Sequence, residues 1–479
     1  MRKSKNLITL NDVDSLSIDQ IKKIYENHIS KTQSDLFSRF NFGSDLIASA
    51  SGCYLITREG RKILDATGGI GVLNHGHNHP RILKAREEFS RKNSMEVHKA
   101  FHSPYLAALS ANVSSLLPEE LTHSYFPNSG AEAVESAMKM AYKYHEGRRH
   151  VILHSSISFH GKLFGSGSVT GSSEINFKFP TISGVDSFRY NDIEDFRRKV
   201  KEHSDTGLSN VYAVLIEPFN VSSMTYCDST YLTEVREICS QNNIVLIFDE
   251  VYSGWCKTGE LFFFMRTPNL VPDILCYAKS FGGGKASISG ITTKKEIYKS
   301  AYDNQDHVML QSTTYYGFGE ECITAIEALQ IIVDDDYVAK SKMLEASFSR
   351  MLHKLKADFP QEIILVRGAG ALWGLVLGKP SSDSTLNLLL KLTPYRSYTN
   401  FIEKLTAAAV VDFCYREHGI LLFMSASHDT WLKISLPLIA TQAEIDLVHQ
   451  SLNSCFSIGL DKILHNFLKH YLKKKLTGS

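Results

Sequence analysis

The sequence of 479 residues lacks long hydrophobic stretches. No uninterrupted apolar run reaches about eighteen residues, the length that a membrane-spanning helix requires. The first fifteen residues, MRKSKNLITLNDVDS, contain no apolar core of the kind found in secretion signals, and acidic residues follow early. We therefore expect neither a transmembrane segment nor a signal peptide.

An excess of charge of one sign is also lacking. The chain has 52 Lys and Arg residues against 51 Asp and Glu residues, which is a formal net charge of +1. Proteins that bind nucleic acid through bulk electrostatics are strongly basic. The composition therefore predicts no nucleic-acid partner.

Paired cysteine motifs are absent as well. The eight cysteines are scattered without a CxxC pair, and Cys239, Cys276 and Cys414 lie within apolar stretches. This pattern favours reduced, buried thiols over a disulfide framework. We therefore predict a cytoplasmic protein.

A histidine-rich turn, GVLNHGHNHP, raises the question of a metal site. His75, His77 and His79 alternate along it, but no carboxylate or cysteine joins them at ligand spacing, and Pro80 ends the segment. A turn leading into a helix at 82–92 explains the pattern better. We expect no bound metal.

Between about residue 104 and residue 330, stretches with helical periodicity alternate with buried strands. Helical stretches include 131–145 and 231–242, and strand-like stretches are 150–154, 211–217, 244–248, 274–278 and 288–293. Such alternation predicts an α/β fold with a largely parallel sheet covered by helices on both faces.

Two of these strands end on ionisable residues. The strand at 244–248 leads into Asp249 and Glu250, and the strand at 274–278 leads into Lys279. Ligand crevices form at the ends of buried strands in α/β proteins. A lysine that emerges from an apolar strand is partly desolvated, which lowers its pKa and suits it to covalent chemistry with carbonyl groups.

The stretch from 244 to 286 has three possible interpretations. A phosphate loop of the Walker type would need glycine at 279 and Ser or Thr at 286, but the sequence has Lys279 and Ala286. A structural salt bridge between Asp249 and Lys279 remains an alternative. A third interpretation is a site for pyridoxal phosphate, in which the aspartate keeps the pyridine nitrogen protonated and the lysine bonds to the aldehyde.

These residues resemble those of a class III aminotransferase, within the fold-type I pyridoxal-phosphate enzymes that include ornithine, 4-aminobutyrate and putrescine aminotransferases. The resemblance implies a large domain with a mostly parallel central sheet and a smaller α+β domain built from both termini. We expect the small domain at 1–75 and 346–457, the large cofactor-binding domain at 76–345, and an amphipathic basic helix at 458–479.

The resemblance also implies roles for individual residues. The motif at 128–133 would place Ser129, Gly130 and Ala131 at the cofactor phosphate, because a helix N-terminus binds anions. Further cofactor contacts implied by the family are stacking of Phe159 on the pyridine ring, His160 beside it, Val251 on the opposite face, and Thr314 reaching the phosphate of a neighbouring subunit. A homodimer is therefore expected.

Three departures from the family pattern bear on the substrate. The usual QGEGG reads NVSSM at 220–224, so its glutamate is absent, and Lys433 stands where the family has an arginine. Lysine offers a point charge instead of a planar fork, which weakens recognition of an α-carboxylate. Ile70 occupies the position of a tyrosine in ornithine-type enzymes. We expect a small-molecule amine donor with a terminal amine, or an ω-amino acid, and a keto or aldehyde acceptor.

The same motifs also allow functions other than amino-group transfer. The same family contains aminomutases, racemases and lyases, and a non-catalytic scaffold would be favoured by loss of Lys279 or Asp249, both of which are present. These alternatives share the cofactor or the fold with an aminotransferase.

Two segments lie outside the motifs. Residues 379–400 suggest an exposed insertion. In the tail, apolar residues at 460, 463, 464, 467, 468, 471 and 472 recur at helical spacing beside a basic face. A helix packed on its own dimer is one interpretation, and a docking helix for an acidic partner or an anionic membrane surface is the other.

Overall fold

The computed structural model describes residues 7–38, 40–171, 179–205, 207–380, 401–425 and 429–477. Most of the insertion expected at 379–400 therefore lies outside the described residues. Among those residues, no helix is both long and apolar enough to cross a membrane. All eight cysteines are buried and carry free thiols.

A seven-stranded central sheet forms the core of the large lobe. Its strands are β1 (Leu121–Tyr125), β2 (Val151–Ser155), β3 (Val185–Phe188), β4 (Val211–Ile216), β5 (Val245–Asp249), β6 (Ile274–Tyr277) and β7 (Gly290–Lys294). Their spatial order is β1-β7-β6-β5-β4-β2-β3. Every residue of β2, β4, β5 and β6 is buried, as expected for continuous apolar strands covered on both faces.

The prediction of a largely parallel sheet is confirmed. The pairs β2–β3, β2–β4, β4–β5 and β5–β6 are parallel, while β6–β7 and β7–β1 are antiparallel. Residues 278–289 connect β6 to β7, and the 3-10 turn Lys279–Gly282 lies within this connection. The predicted strand bounds differ from the observed ones by two residues at most.

Helices cover this sheet and build the rest of the protein. The α-helices are Leu10–Val13, Ile18–Tyr25, Lys31–Ser38, Pro80–Arg91, Pro104–Leu116, Gly130–Tyr144, Phe164–Ser168, Ile193–Glu202, Ser229–Gln241, Lys295–Tyr302, Gly319–Asp334, Tyr337–Asp358, Phe401–His418, Gln442–Ile458 and Leu460–Thr477. A π-helical turn spans Glu26–Ser30, and 3-10 turns span Asn41–Ser44, Phe263–Arg266 and Lys279–Gly282. The helix Gly130–Tyr144 buries one face of Val, Ala and Met side chains against the central sheet.

Two smaller four-stranded sheets lie outside the central sheet, and the first of them joins N-terminal to C-terminal residues. One contains Ile47–Ser51, Tyr54–Thr57, Lys62–Asp65 and, parallel to the last of these, Ile420–Leu421. The other is antiparallel and contains Ile363–Ala369, Leu372–Leu377, Trp431–Ser435 and Phe423–Ser425. Two-residue ladders join Ser204–Asp205 to Leu208–Ser209 and Phe219–Asn220 to Thr225–Tyr226. The first sheet confirms a lobe built from both termini, while the domain boundaries after residues 75, 345 and 457 remain a prediction.

The C-terminal helix Leu460–Thr477 packs on the helix Phe401–His418. In the described part of this helix, five apolar residues are buried in the main core: Leu460, Ile463, Leu464, Phe467 and Leu468. The part of the stripe at 460–468 is therefore covered by the chain's own residues, which favours the packed helix over a docking or membrane-surface element, while the side chains at 471 and 472 lie outside the description.

Candidate active site

Three neighbouring strands deliver ionisable groups to one edge of the central sheet. Asp249 ends β5, Lys279 follows β6 after one residue, and Glu217 directly follows β4. Because β4, β5 and β6 are parallel and adjacent, their carboxyl ends meet at the same edge. The sequence analysis predicted Asp249 and Lys279 here but assigned no role to Glu217, although the same strand-end signal marks it.

A cavity of about 680 Å³ opens at this edge, within the size range of small-molecule sites. Ten of the predicted site residues line it: Ile70, Ser129, Gly130, Ala131, Phe159, His160, Asp249, Val251, Lys279 and Lys433. Thr314 is exposed and does not line it. The structure thus brings together residues that are up to 363 positions apart in the sequence, from Ile70 to Lys433.

The helix Gly130–Tyr144 points its N-terminus into the cavity. Ser129 caps this helix and accepts a hydrogen bond from the Glu132 N–H at 3.3 Å. The N–H groups of the first helical turn have no partner within a helix, and they make an anion site. Gly130 permits a close approach, because a Cβ there would lie only 2.8 Å from Cγ1 of Val251.

Asp249 is held rigidly at the base of the cavity. His160 Nδ1 lies 2.7 Å from Asp249 Oδ2, and the Val251 N–H donates to Asp249 Oδ1 at 3.0 Å. The backbone N–H of His160 donates in turn to Thr170 Oγ1 at 2.9 Å. Asp249 is therefore oriented by hydrogen bonds from two elements, as a carboxylate that must hold one geometry requires.

Glu217 is a second buried carboxyl group in the same cavity, with 7% of its surface exposed. It accepts hydrogen bonds from the Phe159 N–H at 2.8 Å and from Asn220 Nδ2 at 2.5 Å. Burial raises the pKa of Glu217 to about 7, the neighbouring Asp249 acts in the same direction, and His160 opposes both. The group is therefore only partly ionised at neutral pH.

Lys279 begins a 3-10 turn in a left-handed backbone conformation with φ of 51°. A non-glycine residue rarely adopts this conformation, and such strain is typical of functional sites. Burial lowers the pKa of Lys279, while Asp249 and Glu217 act in the opposite direction. Its Nζ lies 4.6 Å from the centre of the Tyr252 ring. The lowered pKa favours the free amine, which is the nucleophilic form.

Comparison with known proteins identifies the family. The profile described as aminotransferase class-III matches residues 43–456, which is most of the chain. The chain belongs to the class-III aminotransferase family. It is a pyridoxal-phosphate-dependent transaminase with a fold-type I architecture.

Solved structures of similar fold support the architecture of this aminotransferase. A transaminase from the marine bacterium Virgibacillus has a TM-score of 0.77 at 20% identity, covering 95% of this chain and 99% of its own. The ornithine aminotransferase of Toxoplasma gondii ME49 has a TM-score of 0.76 at 20% identity, covering 99% and 100%. The same Toxoplasma enzyme crystallised with oxidised glutathione, which has partial occupancy of pyridoxal phosphate, has a TM-score of 0.71 at 21% identity.

The cavity of the aminotransferase fits pyridoxal phosphate. It contains a helix N-terminus for a phosphate, an aromatic ring at Phe159, and a rigid carboxylate at Asp249. It also contains Lys279 next to Asp249 on the sheet edge, and burial lowers the pKa of this lysine. Each group suits a different part of the cofactor: the phosphate, the ring face, the ring nitrogen and the aldehyde.

Lys433 was expected to offer a point charge to the substrate, but its amine bonds to the protein backbone instead. This lysine is 2% exposed, and its Nζ donates to the backbone oxygens of Val221 and Ser222. Burial lowers the pKa of Lys433 to about 7, with Glu217 opposing the shift. The amine is therefore only partly charged at neutral pH and already has two acceptors.

Ile70 enters the cavity from an unusual turn. Residues Gly68–Gly71 all have positive φ, between 55° and 87°, so the backbone makes one left-handed turn. Ile70 is the one residue in the turn that is not glycine, and 60% of its surface is exposed. Thr67 stabilises the turn by accepting a hydrogen bond from the Gly69 N–H at 3.1 Å.

Two histidines of the turn GVLNHGHNHP make hydrogen bonds to different partners. His75 Nε2 lies 3.0 Å from the Ala328 carbonyl oxygen, and His77 Nε2 lies 2.8 Å from Asp65 Oδ2. Within the described ranges, no group of three or more potential ligands could hold a metal ion. These histidines instead fasten the turn to the helix Gly319–Asp334 and to the small sheet.

Several lining residues were missed by the sequence analysis. Tyr252 lies only three residues beyond Asp249, and its position beside the strand end was the available signal. The residues of strand Phe423–Ser425 also line the cavity, but no motif marked them, because they reach it through pairing with Trp431–Ser435.

Proposed function

We propose that this transaminase takes amino groups from terminal amines or ω-amino acids and passes them to a keto or aldehyde acceptor. The carrying observation is the substrate side of the cavity, which apolar side chains line together with a lysine already bonded to backbone oxygens. The apolar residues there include Ile70, Val72, Val221 and Phe423. Such a surface suits a hydrocarbon chain better than an α-carboxylate.

Lys433 supports this substrate class in two ways. Its amine is partly neutral at neutral pH because of burial, and its donors are already used by Val221 and Ser222. An arginine would offer a permanent charge and a planar pair of donors to a carboxylate. Ser222 stands at the position of the glutamate in the family motif QGEGG, so the usual carboxylate partner for a cation is missing from the motif at 220–224.

The residues around the cofactor have distinct proposed roles. Bound pyridoxal phosphate supplies an electron sink for negative charge at the substrate carbon. Lys279 would hold the cofactor by its aldehyde, and its amine, when free, would accept the proton from the substrate carbon. Asp249, oriented by His160 and the Val251 N–H, keeps a proton on the pyridine nitrogen.

Further residues hold the cofactor in place. Ser129 and the N–H groups of Gly130 and Ala131 bind the phosphate, because they form the open end of the helix Gly130–Tyr144. Phe159 and Val251 both line the cavity and are proposed to pack on the two faces of the ring.

A homodimer is part of the proposal. Thr314 is exposed in this chain, in a loop that is tied to neighbouring elements by Lys99, Lys139 and Gln311. We propose that Thr314 serves the phosphate of a second copy. The eight buried free thiols support a cytoplasmic location.

The substrate proposal is tested with single amines given to the cofactor-loaded protein. Putrescine, 4-aminobutyrate, ornithine and alanine are each added alone, and the rate at which the visible absorption band of the cofactor disappears is measured. We expect putrescine and 4-aminobutyrate to react faster than alanine. A clear preference for alanine would refute the proposed donor class.

A matched pair of variants tests the role of Lys433. Lys433→Arg should increase the rate of the return reaction with 2-oxoglutarate, because a permanent charge then faces the α-carboxylate. Lys354→Arg is the control, since Lys354 lies exposed on the helix Tyr337–Asp358. Equal rates for both variants would show that Lys433 does not limit acceptor choice.

A further inference from the structure

Tyr252 packs its ring against the reacting lysine. Lys279 Nζ lies 4.6 Å from the centre of the Tyr252 ring, within the range of a cation–π interaction. Both residues line the same cavity, and Tyr252 follows Asp249 by three positions. The contact thus joins the end of β5 to the residue that follows β6.

Gly71 also lies close to this ring. A Cβ at Gly71 would lie 2.7 Å from the Cε1 and Cζ atoms of Tyr252, so only glycine allows this approach. Gly71 also has φ of 87°, which disfavours other residues. The Tyr252 ring is therefore close both to the left-handed turn Gly68–Gly71 and to Lys279.

The hydroxyl group of Tyr252 is buried. Burial raises the pKa of Tyr252 above its ordinary value, and the nearby Ser435 side chain opposes this shift without cancelling it. The phenol is therefore neutral at physiological pH. Its effect on Lys279 must come from the ring face, not from a phenolate charge.

Other charged groups also face Lys279. Asp249 at the end of β5 and Glu217 after β4 both favour its protonated form, while burial favours the free amine. His160 contacts Asp249, with 2.7 Å between His160 Nδ1 and Asp249 Oδ2. The ring of Tyr252 adds an attraction for the ammonium form that does not depend on the protonation of either carboxyl group.

We propose that Tyr252 is a positioning residue for Lys279, whose ring face holds the lysine amine in place and favours its protonated form. This rests on the proposed role of Lys279 as the lysine that reacts with the cofactor. When the amine has accepted a proton, the resulting ammonium group stays over the ring instead of moving within the cavity. The ring thereby keeps the proton near the site where it was taken up.

The test uses cofactor-free protein, so that it does not depend on turnover. Reductive methylation with formaldehyde and cyanoborohydride modifies the free amine, and the rate at Lys279 is followed across pH by peptide mass spectrometry. Tyr252→Leu should lower the pKa of Lys279 by roughly one pKa unit, because the cation–π attraction is lost. Tyr252→Phe keeps the ring face and should titrate as the wild type does. Lys354, which is exposed, is the internal control.

Identical titration of Lys279 in the wild type and Tyr252→Leu would overturn the proposal. A lowered pKa in both Tyr252→Leu and Tyr252→Phe would overturn it too, because the hydroxyl group would then be responsible. If Tyr252→Leu does not fold, Tyr252→Met provides the same comparison. Failure of the underlying function is seen separately, as persistence of the visible band in cofactor-loaded Lys279→Ala.

Discussion

Lys257 is fully buried, with 0% of its surface exposed, and its replacement by methionine should stabilise the protein in a pH-dependent way. Its Nζ donates one hydrogen bond, to the Leu436 carbonyl oxygen at 3.2 Å. Burial lowers the pKa of Lys257 from 10.5 to about 7, although Asp65 acts in the opposite direction. Methionine has a similar length and volume and carries no charge.

The magnitude follows from this pKa. One pKa unit corresponds to about 1.36 kcal/mol, so charging Lys257 in the folded state costs roughly 5 kcal/mol below pH 7. The unfolded chain keeps the ordinary pKa and binds more protons between pH 7 and 10.5, so the wild type gains stability as the pH rises through that window. Removing the donor to Leu436 costs ~1–3 kcal/mol at every pH.

The expected result is a stability advantage of Lys257→Met that is about 3 kcal/mol larger at pH 6 than at pH 9. The assay is urea unfolding of cofactor-free protein at one protein concentration and both pH values. Lys354→Met, on an exposed helix face, is the matched control and should show no such difference. An advantage of equal size at pH 6 and pH 9 would refute the reasoning, because the buried amine would then not titrate in this range.

Three further predictions concern the site. Asp249→Asn should retain the cofactor but lose roughly 100-fold or more in turnover, since an amide cannot keep the pyridine nitrogen protonated; near-normal activity would leave Asp249 as a structural group. Ile70→Gly should raise the free energy of unfolding by about 1 kcal/mol by relieving left-handed strain, and an unchanged or lower value in urea unfolding would contradict this. Mixing Lys279→Ala with Thr314→Ala should restore activity after subunit exchange, and proven exchange without activity would contradict the shared site.

The sequence by itself determined the fold class and much of the site. Continuous apolar runs predicted the buried strands β4, β5 and β6, because such runs can be satisfied only inside a covered sheet. The residues that end these strands, Asp249 and Lys279, followed from the same rule. The helix at Gly130–Tyr144 was marked by its small residues and its cap, so its anion site was also predictable.

Tertiary structure alone decided how these groups are tuned. Lys433 is bonded to backbone oxygens because the strand Trp431–Ser435 passes beside Val221 and Ser222, a contact between segments more than two hundred residues apart. The Tyr252 ring contacts Lys279, and Gly71 of the turn Gly68–Gly71 lies close to the same ring. Burial, hydrogen-bond partners and pKa values depend on neighbours that are distant in sequence, and only the folded chain brings those neighbours together.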